Sequence, residues 1–325
     1  MAAQNFWRDL PKPFLVLAPM ADVTDAAFRR VIAKYSKPKG PHVMYTEFVS
    51  ADGLCRAPEE GRNKLMRDLL YSEAERPIVA QFFTSTPAYM EQVAGLAQEL
   101  GFDGVDINMG CPADAVEKQG AGAKLILNPE RAKELIAAAK RGAPKLPVSV
   151  KTRLGFNTDI LETWLPILLE AEPAAIILHA RTRKEMSLVA AHWERVKRAV
   201  EIRDEKGSQV LIIGNGDVVD LADAEAKAKE TGADGIMIGR GIFGKPWLFA
   251  AGSSHSVEQR LQILVEHTQL FAELLGDIKN FAIMKKHFKA YVEGFDGAKE
   301  LRVKLMETKN AQEVQDCIED FLKTR

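Results

Sequence analysis

Eight short apolar runs recur along the first three quarters of the chain, and most of them are followed by a segment with helical spacing of apolar residues. The runs are continuously apolar rather than alternating, which indicates strands covered on both faces. Strands that alternate with helices pair in parallel. Eight such units in about 250 residues predict an α/β fold of the closed (β/α)8 type, a TIM barrel. The predicted strands lie at residues 14–18, 43–48, 77–83, 104–107, 147–152, 174–178, 209–213 and 234–238.

The helices between these strands carry signals of their own. Thr24 is predicted to cap a helix at residues 25–35, because its hydroxyl can accept from a backbone N–H of the first turn. Residues 52–76 are predicted as a loop followed by one helix. Pro166 should kink or split the helix predicted at residues 159–171, since proline cannot donate the backbone hydrogen bond of a helix interior.

After residue 256 the strand pattern ends and only amphipathic helical patterns remain. Short connections between these helices favour an antiparallel bundle. We therefore expect two domains, a TIM barrel at residues 1–252 and a small C-terminal all-α helical bundle at residues 256–325. The helices predicted in the bundle lie at residues 257–275, 280–291, 298–306 and 311–323.

The composition is that of a globular protein that needs no cross-links. The chain has 325 residues, 46% of them hydrophobic, and its formal net charge of −1 argues against a protein that coats nucleic acid indiscriminately. Its three cysteines, Cys55, Cys111 and Cys317, are far apart and form no metal-ligand pattern. We expect a reducing, cytoplasmic setting, no structural metal and a monomer. Residues 1–12 contain no apolar signal core and no run could cross a bilayer, so we expect no membrane partner.

The most informative segment lies just beyond the fourth predicted strand. Pro112 cannot continue a strand ladder, so the strand ends at the Gly-Cys-Pro of residues 110–112. The thiol of Cys111 is therefore held on the connection after a strand's C-terminal end, where barrels bind ligands. The Gly-Ala-Gly-Ala of residues 120–123 lets backbone approach a flat ligand or an anion. The alternative is a cysteine that serves only as a small buried apolar side chain.

Other polar residues follow the later strands, and the strand ends of a barrel converge on one mouth. The turns at residues 215–217 and 239–241 are glycine-rich, so their backbone N–H groups can bind a phosphate, with Arg240 as a charged donor. Ordinary connecting turns are the alternative. Lys151 and His179 end adjacent strands and are expected to point into the same mouth, although His179 could instead be a hydrogen-bonded residue behind it.

Together these segments resemble the signature of the dihydrouridine synthases, flavin enzymes that reduce a uridine in RNA. The resemblance covers almost the whole chain and implies FMN as cofactor and tRNA as substrate. Beside Asn108 and the two glycine motifs, the matching segments are residues 17–20, 46–50, 150–155, 179–183, 214–217, 239–241, 246–249 and 284–287. The FMN-binding residues that the resemblance implies are Pro19, Met20, Ala21, Gln81, Lys151, His179, Asn215, Gly216, Asp217, Gly239 and Arg240.

The residues suit the reaction that this resemblance implies, the reduction of the uracil C5–C6 bond. Reduced FMN can give a hydride to C6, and an acid must then protonate C5. Cys111 is predicted as that acid, because a thiol with a pKa of about 8.5 is protonated at neutral pH. Lys151 would face the flavin edge where negative charge gathers on reduction. Asn108, Arg153 and Arg181 are predicted to orient the base, and NADPH, or else NADH, to re-reduce the flavin.

The helical bundle carries a basic stretch that could contact RNA. Lys285, Lys286 and Lys289 fall at three-to-four spacing and can share one helix face, which favours phosphate contacts. A solvated helix face is the alternative. Two other functions also stay open: a flavin barrel that acts on a free small molecule, and an RNA-binding protein that has lost catalysis.

The chain departs from the family pattern at four positions. Ala115 stands where a lysine is usual, and Ala180 where a glycine is usual. His192 replaces an aspartate before Trp193, and Lys124 is a charge at a normally apolar position. We expect these changes to affect how the RNA is bound, and therefore which uridine or which RNA is the substrate.

Overall fold

The structure is a computed structural model that describes residues 5–37, 40–250, 252 and 254–324, so the expected domain limits at residues 1 and 325 lie outside the described residues. In this part of the chain, eight strands form one parallel sheet in which sequence neighbours pair. A bridge between Val16 and Val43 joins β1 to β2 and closes the sheet, which confirms the predicted barrel. The strands are β1 (Phe14–Leu17), β2 (Met44–Ser50), β3 (Ile78–Phe83), β4 (Gly104–Met109), β5 (Val148–Arg153), β6 (Ala175–His179), β7 (Leu211–Asn215) and β8 (Gly235–Ile238).

Helices connect the strands and form the C-terminal region. Around the barrel the described α-helices are α1 (Ala26–Ser36), α2 (Ala51–Arg56), α3 (Glu59–Arg67), α4 (Pro87–Glu99), α5 (Asp114–Glu117), α6 (Pro129–Gly142), α7 (Leu161–Glu170), α8 (Trp193–Glu205) and α9 (Leu221–Thr231). The C-terminal ones are α10 (Val257–Leu275), α11 (Lys285–Tyr291), α12 (Ala298–Glu307) and α13 (Ala311–Lys323). Short 3-10 helices lie at Phe6–Asp9, Glu73–Glu75, Gly122–Leu127, Arg240–Ile242 and Phe281–Met284.

The inside of the barrel is a packed apolar core rather than a channel. Trp7, from the segment before β1, is fully buried and packs on Phe14 with ring centroids 5.6 Å apart, so it closes the N-terminal end. A ligand can therefore enter only at the opposite rim, where the strands end. The buried cluster inside the barrel includes Val16, Tyr45, Ile177, Ile213 and Met237.

Two local predictions were wrong. Asp25 rather than Thr24 caps α1, because the Asp25 carboxylate accepts from Phe28 N at 2.9 Å while the Thr24 hydroxyl accepts from Met20 N. The segment at residues 52–76 contains two helices instead of one, α2 and α3. They separate at Pro58, since a residue before proline avoids helical backbone angles and Ala57 is extended.

Two further helices agree with the sequence prediction only in part. Pro166 was expected to kink or split its helix: α7 runs unbroken through it and is therefore not split, and a kink stays a prediction. The helix predicted at residues 280–291 begins as a 3-10 turn and becomes α-helical only at Lys285.

The C-terminal helices, called here the tail (residues 256–324), pack on one another and on the barrel helix α1. One buried cluster contains Ala27 and Val31 of α1 together with Leu264, Phe271 and Phe288 of the tail. The division of the chain into two domains stays a prediction, because this core spans the proposed boundary. Among the described residues, no helix combines the length and apolar character that crossing a membrane requires.

Candidate active site

The strand register brings the predicted polar residues together at the C-terminal rim of the barrel. Cα partners across neighbouring strands include Asn108 with Lys151, Arg153 with His179, and His179 with Asn215. They border a rim cavity of about 380 Å³. The predicted site residues that line it are Pro19, Met20, Asn108, Cys111, Lys151, Arg153, His179, Arg181, Asn215, Gly216, Asp217, Gly239 and Arg240.

Some predicted site residues do not line this cavity. Ala21 is exposed beside it, and Gln81 is fully buried beneath it. The three predicted RNA-binding lysines are on the tail, where Lys285 Nζ donates to a backbone carbonyl at 2.7 Å and Lys289 is exposed. The cavity-lining residues that were not predicted as site residues are Ala18, Phe48, Gly110, Pro112, Met186, Ser187 and Val218. The first four lie in segments that match the family signature, whereas Met186, Ser187 and Val218 lie on connections that carry no distinctive sequence signal.

A chain of hydrogen bonds beneath the cavity fixes the backbone around Cys111. Gln81 Nε2 donates to Asp106 Oδ2 at 2.7 Å, and its carbonyl oxygen accepts from Asn108 Nδ2 at 3.0 Å. Asn108 Oδ1 in turn accepts from Gly110 N at 3.1 Å and from Cys111 N at 2.9 Å. Because a carboxylate only accepts, Asp106 sets the orientation of both amides that follow it.

Asp106 was not among the predicted site residues, although it is the one carboxylate in an otherwise apolar predicted strand. It is fully buried, and burial raises its pKa to about 7, while hydrogen bonds from Ser149 and Gln81 lower it. Ser149 Oγ donates to Asp106 Oδ1 at 2.6 Å and lies 3.1 Å from the Tyr45 hydroxyl. The barrel interior thus contains a continuous polar path from Tyr45 to the Cys111 backbone.

The loop that carries Cys111 (residues 110–123, the Cys111 loop) is held from several sides. Arg153 Nε donates to Gly110 O at 2.7 Å, and Ala123 N donates to Cys111 O at 3.0 Å. Gly122 has φ +61°, and a Cβ there would lie 2.7 Å from Cys111 O, so only glycine fits. The half-buried thiol therefore faces the cavity from a fixed backbone, and burial raises its pKa.

Lys151 supplies a positive charge to the cavity wall. Its side-chain ammonium has no hydrogen-bond or ion-pair partner among the described residues, although the residue is partly buried. Burial lowers its pKa to about 8, and the positive charge of Arg153 lowers it further, while Asp106 opposes this. A cation held this way without a counter-ion suits an anionic or electron-rich ligand.

His179 lies beside an array of charged groups. Arg181 Nη1 is 3.2 Å from His179 Nε2, and because a guanidinium only donates, Nε2 must accept and the ring proton is on Nδ1. Burial, and then the charge of Lys151, lower the pKa of His179 well below its usual value, so the ring is neutral. Arg181 and Arg240 both contact the Asp217 carboxylate, which leaves this group with one net positive charge.

The turn after β7 is suited to backbone contact with a ligand. Gly216 and Asp217 have φ +133° and +53°, and a Cβ at Gly216 would lie 2.8 Å from Ala191 Cβ. The next helix, α9, begins only at Leu221, and the Asp220 side chain already caps its first turn. An anion at this rim would therefore meet turn N–H groups and Arg240 rather than a long helix terminus.

Among the described residues, no group of three or more His, Cys, Asp or Glu is placed to hold a metal ion. None of the three cysteines is disulfide-bonded. The groups that line the rim cavity include one thiol, one lysine, a neutral histidine, the Asp217 carboxylate and the guanidinium groups of Arg153, Arg181 and Arg240.

Two solved structures of enzymes share the fold of this chain. Morphinone reductase in complex with tetrahydroNAD has a TM-score of 0.50 at 13% identity, over 74% of this chain and 87% of its own. Histamine dehydrogenase from Rhizobium sp. 4-9 has a TM-score of 0.53 at 12% identity, over 79% of this chain and 48% of its own. At these identities the likeness concerns the barrel architecture alone.

Sequence similarity is much closer and covers nearly the whole chain. A protein of Staphylococcus aureus (strain MRSA252) named "Probable tRNA-dihydrouridine synthase" is 40% identical over 321 residues, 98% of this chain and 96% of its own. A protein of Bacillus subtilis (strain 168) named "Probable tRNA-dihydrouridine synthase 2" is 42% identical over 321 residues, 98% of this chain and 97% of its own. The family model described as dihydrouridine synthase (Dus) matches residues 16–325. The chain therefore belongs to the dihydrouridine synthase family.

Proposed function

We propose that this chain reduces uridine to 5,6-dihydrouridine in tRNA, with FMN held in the rim cavity and NADPH, or else NADH, as the reductant. The observation that carries the proposal is that Cys111, Lys151 and His179 line one cavity at the barrel rim. Membership of the dihydrouridine synthase family supports the reaction, and the names of the relatives support tRNA as the substrate.

The residues of the cavity fit a flavin and its phosphate. A volume of about 380 Å³ lies within the range of ligand pockets. The unpaired ammonium of Lys151 suits the ring edge that gains negative charge on reduction. Asp217 would repel a phosphate, but Arg181 and Arg240 outweigh its charge. Bound there, FMN would supply the hydride that adds to C6 of the uracil ring.

Cys111 is proposed to donate the proton that C5 requires. Burial raises the pKa of its thiol, so the acid form prevails at neutral pH. The thiolate that remains after donation would be stabilised by the backbone N–H of Ala113 and the positive charges of Arg153 and Lys151, which all favour the charged form. Water can then return a proton to the sulfur after product release.

Asn108, Arg153 and Arg181 are proposed to border the base. Their polar groups are already bonded within the protein: Arg153 Nη1 donates to Thr182 O at 3.1 Å, and Arg181 Nε donates to Val189 O at 2.7 Å. We therefore assign them to shaping the walls of a slot for a pyrimidine.

RNA binding is proposed to involve the tail, as a second domain at residues 256–325 beside a catalytic barrel at residues 1–252. Lys286 and Lys289 are exposed on α11 and can contact phosphates. Lys285 donates to the Met306 carbonyl and is the least available of the three predicted lysines.

Anaerobic reduction of the purified protein tests the proposal. The protein should bind FMN, NADPH should bleach the flavin, and unmodified tRNA should then restore its oxidised spectrum with formation of dihydrouridine. Oxidation by a small unsaturated ketone but not by tRNA would favour the small-molecule alternative. A protein that binds tRNA but takes up no FMN would overturn the proposed reaction and leave RNA binding alone.

A further inference from the structure

A lysine of the tail is buried at the barrel rim. Lys279 follows α10, and its side chain is only 12% exposed. Its Nζ lies 2.7 Å from Glu47 Oε2, on β2, and 2.8 Å from Asp68 Oδ1, just after α3. One cation from the tail therefore joins two carboxylates of the barrel.

Glu47 also contacts the connection between β1 and α1 (residues 18–25, the β1–α1 loop), and so links Lys279 to this loop. Its second oxygen, Oε1, accepts from Asp22 N at 2.5 Å. Asp22 has φ +53°, a left-handed conformation that a non-glycine residue keeps only when its surroundings hold it. Lys286, also of the tail, has its Nζ 4.0 Å from Asp22 Oδ2. The tail thus approaches the side chain of Asp22 directly and is connected to its backbone N–H through Glu47.

The β1–α1 loop reaches the rim cavity only a few residues before Asp22. Pro19 and Met20 line the cavity, and the Met20 carbonyl accepts from Val23 N at 3.1 Å and from Thr24 N at 3.0 Å. The loop is therefore a compact turn, and a shift at Asp22 moves the residues that face the ligand. None of the described tail residues lines the cavity itself.

The charge states of the three groups Lys279, Glu47 and Asp68, called here the junction with the tail, depend on one another. The Glu47 side chain is 6% exposed, and burial raises its pKa to about 7 while Lys279 lowers it. Burial lowers the pKa of Lys279, but Glu47 and Asp68 more than offset this and raise it above its usual value, so the ammonium stays charged. Removing the cation would leave two acidic groups facing each other, a costly arrangement in a buried site.

We propose that Lys279 is a positioning residue for the cofactor: acting through Glu47, it fixes the β1–α1 loop, and with it Pro19 and Met20, against the rim cavity. This inference rests on the proposed function, because it takes FMN as the occupant of the cavity. It assigns to the tail a role in flavin binding, in addition to the role in RNA binding proposed above.

The test compares Lys279→Met with a matched control, Lys34→Met. Lys34, on α1, also pairs with the tail, since its Nζ lies 2.8 Å from Glu266 of α10, but it is 59% exposed and touches no part of the β1–α1 loop. In Lys279→Met the FMN dissociation constant should rise about tenfold or more, and the Asp22 amide should exchange hydrogen faster. In Lys34→Met both should stay within about twofold of the wild type.

A second variant separates positioning from folding stability. Glu47→Gln combined with Lys279→Met removes the uncompensated charge, so its unfolding midpoint in urea should recover toward the wild-type value even if Lys279→Met alone is poorly folded. FMN affinity should stay weak and hydrogen exchange at the Asp22 amide should stay fast, because the contact between Lys279 and Glu47 is still missing. Wild-type FMN affinity in this double variant, or in a folded Lys279→Met, would overturn the inference while leaving the proposed function intact. A wild-type protein that binds no FMN would overturn both.

Discussion

Replacing Gly122 by alanine should disturb the Cys111 loop, although Gly122 itself does not line the rim cavity. Gly122 has φ +61°, and an alanine Cβ there would lie 2.7 Å from Cys111 O and 2.8 Å from Val116 Cγ1. Both neighbours belong to the loop that carries the thiol, and one of them is backbone. The substitution must therefore displace Cys111, because a left-handed backbone angle at residue 122 leaves no other direction for the methyl group.

The size of the effect follows from two separate costs. A left-handed conformation costs an L-residue about 1–2 kcal/mol relative to glycine. Forcing a methyl group against packed atoms adds about 1–3 kcal/mol. The free energy of unfolding should therefore fall by about 2–5 kcal/mol in Gly122→Ala. A displacement of a reacting group approaching 1 Å costs about a hundredfold in rate, so the proton transfer should slow by about ten- to a hundredfold.

Gly207 provides the matched control. It has the same φ of +61°, and nothing lies within 4 Å of the position that its Cβ would take. Gly207→Ala should therefore lose only the conformational part, about 1–2 kcal/mol, and should keep full activity. The assay is a single turnover, in which protein carrying reduced FMN is mixed with unmodified tRNA and dihydrouridine is counted. Urea unfolding and FMN titration of both variants complete the comparison.

Equal single-turnover rates in Gly122→Ala and Gly207→Ala would refute the reasoning, because the thiol would then work equally well from a displaced backbone. Loss of FMN binding in Gly122→Ala would also count against it, since the argument requires the perturbation to stay within the Cys111 loop.

Three further predictions concern single side chains. Cys111→Ala should still bind FMN and should lose about 10²- to 10⁴-fold in rate. In the wild type, the rate should hold through neutral pH and fall only as pH rises past the pKa of the Cys111 thiol, which burial raises. A rate that rises with pH would indicate that the thiolate is the active form. Lys151→Met should weaken FMN binding by about ten- to a hundredfold in fluorescence titrations. Wild-type affinity should fall as pH rises through about 8, where Lys151 loses its charge, and this fall should be absent from the variant. Lys289→Gln should weaken tRNA binding by about two- to fivefold and lower the salt slope by about one, and Lys286→Gln should do less because Lys286 already lies near Asp22.

The residues of the rim could be found from the sequence because their positions follow from strand ends alone. Lys151, His179 and Asn215 each end an apolar run, and the barrel topology brings such ends together. The same logic predicts that Gln81 faces the cofactor. The structure places it in the interior, bonded to Asp106 and Asn108, and its contact with FMN stays a prediction.

The polar path beneath the cavity and the junction with the tail could not be predicted, because both depend on pairings that no local pattern specifies. Gln81 meets Asp106 only through the register of β3 on β4, and parallel strands buried on both faces carry no alternation from which a register could be read. Lys279 and Glu47 lie 232 residues apart, and each alone has the composition of an ordinary charged surface position.

The apolar core that α1 shares with the tail limits how this protein can be rebuilt. Because Ala27 and Val31 pack directly among tail residues, residues 256–325 are not an interchangeable cassette. A chimaera that takes only this segment from a relative would juxtapose two halves of an interface that were never selected together. Grafting α1 and the turn before it together with the tail helices would preserve this interface. Natural divergence in RNA preference is expected to have changed both sides of the interface together.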